Sequence, residues 1–319
     1  MLARTADNLY WLARYMERAD FIARIIEGTL RLEALPKDYG GSEPEWESSL
    51  DAVGVLEAYR QIYPSVTGPS AVDFLAFDHR NFSSIRNCIN SARSNARAVR
   101  TALTRETWEA INSAWLELQR FESIHAQQGY FDRETLARFL DFAKKTSLDA
   151  DGSAYRTMLR NDVYWFQRLG LYVERADNTA RILDMKYHVL FPESDQIKGT
   201  RDYFQWTTML RAVSALTAYH WVYRDQVKPW QVAELLILRP EMPRSLISSY
   251  SNIVRFSGQI ARVYGQQGPT QELAKEVLTR LESLPIRDIF ASGLHEFVTH
   301  FIDDTNKLGH TITTQYLLS

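Results

Sequence analysis

Two similar stretches decide the fold: residues 15–26 read YMERADFIARII and residues 172–183 read YVERADNTARIL, with eight of twelve positions identical. Around the first stretch, apolar residues recur in alternating steps of three and four, which is typical of a helix packed lengthwise on another. The pattern predicts long helices over about residues 3–35 and 154–190, each followed closely by a proline. The seam of the first helix consists of Leu9, Leu12, Met16, Ala19, Ala23, Ile26 and Leu30.

A second, weaker match accompanies the first. Residues 74–85 resemble residues 235–246 at an offset of 161 residues, close to the offset of 157 between the two longer copies. Two matches in the same order indicate an internal duplication. We therefore predict a first helical repeat over residues 1–150 and a second over 151–319, packed together as one body.

The rest of the chain also has a helical pattern. Proline and glycine are scarce within long stretches and cluster between them, and alternating strand patterns are absent. The sequence predicts an all-α fold with two pseudo-repeated antiparallel helical-bundle halves and two long central helices. The other predicted helices cover about residues 44–62, 81–102, 105–125, 131–147, 200–223, 229–238, 243–264, 269–283 and 286–317, and a turn is predicted at 149–152.

Composition excludes several classes of function. The chain has 319 residues, 45% hydrophobic and 24% charged residues, and a net charge of −2, so no overall basic field is available for nucleic acid or an anionic membrane. No apolar run approaches the roughly 20 residues that a membrane span needs. The single cysteine, Cys88, fits a reducing compartment and a buried, inert thiol. We expect a cytoplasmic protein that binds neither nucleic acid nor membrane.

The repeated motif places charged residues on a helix that is otherwise apolar. At 100° per residue, Glu17, Asp20 and Arg24 project within one narrow strip, whereas Arg18 points into another sector. An isolated buried charge is costly, so each of these groups needs a partner or a ligand.

The strips admit two interpretations. In the functional one, Glu17 and Arg24 meet Glu174 and Arg181 at a shared polar cavity, where arginine binds a carboxylate or phosphate and glutamate holds an amine or acts as a base. In the structural one, the same groups form salt bridges within and between helices that fix the register. The spacing by itself favours the structural interpretation.

Known cofactor and metal motifs are missing from the sequence. It contains no phosphate-binding glycine loop, dinucleotide fingerprint or nucleophile elbow, so we expect no cofactor. Glu122 and His125 form one Glu-x-x-His, but a di-iron bundle needs two such motifs and further glutamates. His295 and His300 diverge around their helix, so we expect no metal.

Several further segments carry a resemblance to a known family. The chain resembles the bacterial alpha-E family, helical proteins named for a recurring Glu-Arg motif. One position departs from the family pattern: Arg239 stands where an aspartate usually precedes the proline of the last motif. The segments that match, in order along nearly the whole chain, are residues 8–19, 81–86, 92–100, 106–112, 172–181 and 238–245.

The resemblance implies partner proteins rather than an activity. Alpha-E proteins look like partners of a circularly permuted ATP-grasp protein, often accompanied by transglutaminase-like or proteasome-like peptidases. ATP-grasp enzymes activate a carboxylate as an acyl-phosphate and join it to an amine or thiol. The resemblance therefore implies a peptide-forming or peptide-tagging system with this chain as its helical subunit.

From the motif and the resemblance we form a leading hypothesis: the chain is an accessory subunit that does not bind ATP, docks the ligase and helps present a peptide or amino-acid substrate. Catalytic residues stay unassigned, with Glu17 and Glu174 as the best candidates. The candidate residues for binding substrate or partner are Tyr10, Trp11, Arg18, Asp20, Arg24, Tyr164, Trp165, Arg175, Asp177, Arg181, Arg244 and Ser245.

Two alternatives stay open at this point. The chain could be an enzyme in its own right that acts on an activated acyl or peptide intermediate, with Glu17 or Glu174 as general base. It could also be a purely structural scaffold, in which the Glu-Arg pairs only hold the two halves together.

Overall fold

The computed structural model describes residues 1–34, 42–189 and 198–317, and in this part of the chain all regular structure is helical. A 3₁₀ turn lies at Arg100–Ala102 and a π-helical turn at Thr313–Leu317. The predicted all-α class is confirmed. The α-helices are α1 (Ala3–Glu33), α2 (Ser42–Ala52), α3 (Leu56–Arg60), α4 (Gly68–Ala76), α5 (Ile85–Ala98), α6 (Arg105–Gln128), α7 (Arg133–Thr157), α8 (Asp162–Val189), α9 (Lys198–Ala212), α10 (Leu216–Tyr223), α11 (Pro229–Leu238), α12 (Leu246–Tyr264), α13 (Pro269–Ser283), α14 (Ile286–Ser292) and α15 (Leu294–Ile312).

Two long helices, α1 and α8, form the centre of the fold. Helix α1 packs against α5, α7, α8 and α9, so it is surrounded on several sides. Its apolar seam is accordingly buried, with Leu9, Ile22 and Ile26 fully inaccessible. Burial of this seam is what makes a 31-residue helix stable despite its weak amphipathic character.

The two central helices run in the same direction and touch at a glycine. Tyr10 lies beside Gly170 near the start of the pair, and Glu17 lies beside Arg175 further along both helices. A Cβ atom built on Gly170 would lie 2.2 Å from the carbonyl oxygen of Tyr10. Only glycine permits this approach of backbone to backbone.

The helices of the two halves pack in the same order. Helix α1 contacts α5 and α7, while α8 contacts α12 and α15. The short second helices reach across the halves, because α9 packs mainly on α1, and α2 packs on α8 as well as on α1. Whether the units of duplication are residues 1–150 and 151–319 stays a prediction.

The sequence misplaced some boundaries. The predicted turn at 149–152 is wrong, because these residues lie inside α7. Ala150 and Ala154 are buried there, and Asp151 is paired with Arg168 of α8, so tertiary packing continues the helix. The sequence also missed α4, whose start is capped by the hydroxyl of Thr67.

Cys88 is fully buried, and burial raises the pKa of its thiol to about 12, as expected of an inert core cysteine.

Among the described residues, no helix combines the length and the apolar character that crossing a bilayer requires.

The helix contact at Gly170 generates a stability prediction. Gly170→Ala should lower the free energy of unfolding by roughly 3 kcal/mol, the upper range for overpacking, because the methyl group meets rigid backbone. The matched control is Gly152→Ala in α7, where no atom lies within 4 Å of the added carbon. It should raise the unfolding free energy by about 0.4–1 kcal/mol. Urea denaturation compares the two, and equal effects would contradict the close contact.

Candidate functional site

The Glu-Arg motifs of α1 and α8 bind each other. Arg175 donates from Nη2 to Oε2 of Glu17 at 2.9 Å and from Nε to Oε1 at 3.1 Å. In reverse, Arg18 donates from Nε to Oε1 of Glu174 at 2.6 Å and from Nη2 to Oε2 at 3.0 Å. Each glutamate is 1% exposed. The motif residues therefore form two reciprocal, bidentate ion pairs across the central helix pair.

A second arginine contacts each glutamate, and here the halves differ. Arg14, one turn before Arg18 on α1, donates to Oε2 of Glu174 at 2.7 Å. Arg244, in the turn before α12, donates to Oε1 of Glu17 at 2.7 Å. The two carboxylates thus have equal numbers of arginine partners from unrelated places in the chain.

This difference leaves the two motif aspartates unequal. Asp20 accepts from Arg24 at 2.9 Å and from Nη2 of Arg244 at 2.8 Å. Asp177 accepts from Arg181 at 2.7 Å through Oδ2, whereas its Oδ1 is buried and has no hydrogen-bond partner among the described residues. In the first half, Ser83 occupies the position that corresponds to Arg244, and in the described part of the chain Arg181 is the arginine paired with Asp177.

The ion pairs lower the pKa of both glutamates. Burial by itself would raise the pKa, but Arg175 and Arg244 outweigh it at Glu17, and Arg18 and Arg14 outweigh it at Glu174. The pKa of each carboxyl falls to about 2. A carboxylate with so low a pKa, whose oxygens already accept hydrogen bonds from two arginines, is a poor proton acceptor near neutral pH. This weighs against a general-base role.

The last arginine of each motif reaches a turn of the opposite half. Arg24 donates from Nη1 to the hydroxyl of Ser214, which follows α9, at 2.7 Å. The guanidinium of Arg181 lies beside Gly54, which follows α2. Both turn residues have positive φ, 56° at Ser214 and 76° at Gly54. Arg24 and Arg181 therefore do not meet at one shared cavity.

The aromatic candidates have different surroundings in the two halves. Tyr10 is buried and accepts from Nη1 of Arg14 at 3.2 Å, while the guanidinium of Arg14 stacks over Trp11 at 4.7 Å. Tyr164 is buried and packs edge-on against Phe256. Trp165 packs half-buried against the core.

Ser245 has a structural position. Its hydroxyl caps α12 by accepting from the backbone amide of Ser248 at 3.1 Å and donates to the carbonyl of Arg239. The carbonyl of Arg244 accepts from Thr179 at 2.8 Å. These bonds fix the turn from which Arg244 extends to Glu17.

A cavity of about 190 Å³ opens beside Asp177. We call it the motif cavity. The sequence analysis named Trp11 and Asp177 as candidate binding residues. It did not name the α15 residues that line the cavity, because nothing in the local pattern shows which helix covers the motif. Its lining residues are Trp11, Arg14, Asp177, Thr305, Asn306, Gly309, His310 and Thr313.

The histidines and acidic residues considered for metal binding pair elsewhere. Glu122 pairs with Arg86, and His125 binds Asp73 at 2.7 Å. His295 binds Asp184 at 2.6 Å. Within the described ranges, no group of three or more histidine, cysteine or carboxylate side chains is arranged to hold a metal ion.

The reciprocal ion pairs generate a mutational prediction. Glu174→Gln leaves Arg14 and Arg18 without their counter-charge, so the free energy of unfolding should fall by about 3–5 kcal/mol. The matched control is Glu117→Gln, which breaks an exposed pair with Arg120 and should cost less than about 1 kcal/mol. Chemical denaturation measures both. A loss of the same small size in both variants would contradict the pairing.

The pKa values generate a prediction about acid. Since the folded-state pKa of Glu17 and Glu174 lies near 2, below the ordinary 4.5, protonation favours the unfolded chain. Their contribution, on the order of 3 kcal/mol each, is complete above about pH 4.5 and is lost as pH falls towards 2. Urea unfolding of the wild type and Glu174→Gln over this range should show a shallower acid dependence in the variant. Parallel curves would contradict the shifted pKa.

Comparison with known proteins places these observations in a family. The family model Alpha-E, described as a predicted alpha-helical domain with a conserved ER motif, matches residues 1–317. No curated protein and no solved structure matches the chain. Because the family model covers nearly every residue, including both Glu-Arg motifs, the chain belongs to the Alpha-E family.

Proposed function

We propose that this protein is an accessory subunit of an ATP-grasp-type amide or peptide ligase system, and that it docks the ligase and presents an amino-acid or peptide substrate. The observation that carries the proposal is the motif cavity, where an unpaired carboxylate oxygen of Asp177 and a guanidinium of Arg14 line the same space. Membership of the Alpha-E family supports the assignment to such a system.

The buried glutamates favour a presenting role over independent catalysis. Both oxygens of Glu17 and both oxygens of Glu174 accept hydrogen bonds from arginine. Taking up a proton would break these charge-assisted contacts in a water-excluded site. Chemistry at an activated acyl group is therefore assigned to the partner enzyme, and this chain supplies binding.

The motif cavity has the groups that recognise an amino acid. Oδ1 of Asp177 offers an acceptor for an ammonium group, and the gain is large because a buried unsatisfied oxygen is costly. Arg14 uses Nε for Glu174 and Nη1 for Tyr10, so among the described residues Nη2 has no acceptor and can donate to a carboxylate. The volume of about 190 Å³ equals that of about six molecules of liquid water, the size class of a free amino acid or a peptide terminus.

The docking role has candidate residues on the second half. Trp221 is 75% exposed and Trp230 is 47% exposed, on either side of the turn that joins α10 to α11. Large exposed tryptophans are costly in water and are enriched among residues that dominate protein interfaces. We assign this turn as the contact for the ligase.

A purely structural scaffold is the second candidate function. The reciprocal pairs of Glu17 with Arg175 and of Glu174 with Arg18 favour it, because they hold α1 and α8 together without any ligand. The scaffold requires that changes confined to the motif cavity leave ligation unaffected.

The proposed function is tested by reconstitution. This chain is co-expressed and purified with a circularly permuted ATP-grasp protein from the same genome, and ATP turnover is measured with each component present or omitted. We expect a stable complex whose turnover needs both chains and an added amine. Absence of a complex, together with turnover that does not respond to this chain, would overturn the proposal.

The motif cavity generates a prediction that separates binding from folding. Gly309→Ala adds a methyl group 3.6 Å from Arg14, an ordinary contact, so it should narrow the cavity and stabilise α15 by about 0.5–1 kcal/mol. In the reconstituted reaction it should raise the KM for the amine. Asp177→Asn, which removes the charge, should raise the same KM about tenfold or more.

The control for these variants is Asp149→Asn, on the exposed side of α7, where Asp149 pairs with Lys145. It should change neither KM nor stability. If Gly309→Ala stabilises the protein and neither Gly309→Ala nor Asp177→Asn changes the KM for the amine, the scaffold function is the correct one.

A further inference from the structure

A second, larger cavity of about 450 Å³ lies between α1, α7 and α9, on the other end of the motif from the motif cavity. We call it the basic cavity. Four cationic side chains and one carboxylate line it, so its net formal charge is +3. The lining residues are Arg24, Glu27, Gly28, Arg31, Lys144, Thr208, Arg211, Ala212, Ser214, Leu216 and Thr217.

The one carboxylate in the basic cavity is fully used. Glu27 accepts from Nη2 of Arg31 at 2.7 Å through Oε1 and from Lys144 at 2.8 Å through Oε2. Lys144 also pairs with Asp141 at 2.8 Å. Glu27 therefore positions two of the four cations, while Arg24 is paired with Asp20 outside the lining.

Two arginines from different halves keep donors free at the basic cavity. Arg24 uses Nε for Asp20 and Nη1 for Ser214, which leaves Nη2 without an acceptor among the described residues. Arg211, near the end of α9, is exposed and forms no ion pair with any carboxylate that the structure describes. The hydroxyl groups of Ser214 and Thr217 line the same space.

At the positions that the structure describes, the corresponding place in the other half is less positive. Arg181 matches Arg24 at the offset of 157 residues, but Asp51 stands where the offset of 160 residues between Gly54 and Ser214 places Arg211. The Lys144–Glu27 pair has its counterpart in the bond between His295 and Asp184. The pairing of an arginine with an aspartate four residues before it is present in both halves, at Arg24 and at Arg181. Among the described residues the additional positive charge lies beside Arg24, so this pairing does not require it.

We propose that the basic cavity is a binding site for a phosphate group, either inorganic phosphate or a phosphomonoester. A single carboxylate needs one arginine, whereas a dianion with three acceptor oxygens matches two guanidinium groups, an ammonium and neighbouring hydroxyls. The site is separate from the motif cavity and does not depend on the ligase function proposed above.

The test is isothermal titration of the full chain with inorganic phosphate and, separately, with phenyl phosphate at low ionic strength, with acetate as the monoanion control. We expect both phosphates to bind and acetate to bind at least about tenfold more weakly, because the site has an excess of positive charge. Tighter binding of phenyl phosphate identifies a phosphomonoester as the ligand, and equal binding identifies the free ion.

Variants decide whether binding belongs to the basic cavity. Arg211→Gln should weaken phosphate binding about tenfold or more, the size of a lost charged contact, while leaving the fold intact because Arg211 is exposed. The matched control, Arg262→Gln, removes another exposed arginine, on α12, and should leave the affinity for phosphate unchanged. Equal weakening by both variants, or no binding of either phosphate by the wild type, would overturn the proposal.

Discussion

The fold depends on the exchange of guanidinium and carboxylate groups between the two central helices. Glu17 and Glu174 lie where water cannot reach them, so each would destabilise the protein if its arginines were absent. Because each motif supplies the acid for one pair and the base for the other, neither helix can shift along its partner without separating both pairs. The contact of Gly170 with Tyr10 fixes the distance, and the ion pairs fix the register.

Symmetry of the motif and asymmetry of its surroundings have different roles. The pairs of Glu17 with Arg175 and Glu174 with Arg18 are related by the repeat and support the scaffold. Departures from the repeat leave the two motif aspartates with different hydrogen bonds. Arg244 pairs with Asp20, whereas in the described part of the chain Arg181 is the arginine paired with Asp177. The similarity of the two helices therefore accounts for the shared ion pairs, and the difference in their surroundings accounts for the Asp177 oxygen that has no partner among the described residues.

The sequence predicted the features that depend on local pattern. Long helices and the Asp20–Arg24 pair follow from helical periodicity, and both are present. Helical periodicity correctly separated Arg18 from the strip of Glu17, but it could not show that Arg18 crosses to the second helix. That contact joins residues 156 positions apart, and only tertiary packing determines it. For the same reason the sequence did not predict that α15 lines the motif cavity or that α7 continues through residues 149–152.

The crossed placement of the second helices has a consequence for biosynthesis. Helix α9 packs on α1, and α2 packs on α8, so each half contributes a helix that covers part of the central helix of the other half. During translation the part of α1 that α9 covers stays exposed until residues 198–212 leave the ribosome. Such distant contacts make folding slow relative to a simple helical bundle, because long loops must close first. The nascent first half therefore exposes part of its apolar surface for as long as the second half is being synthesised.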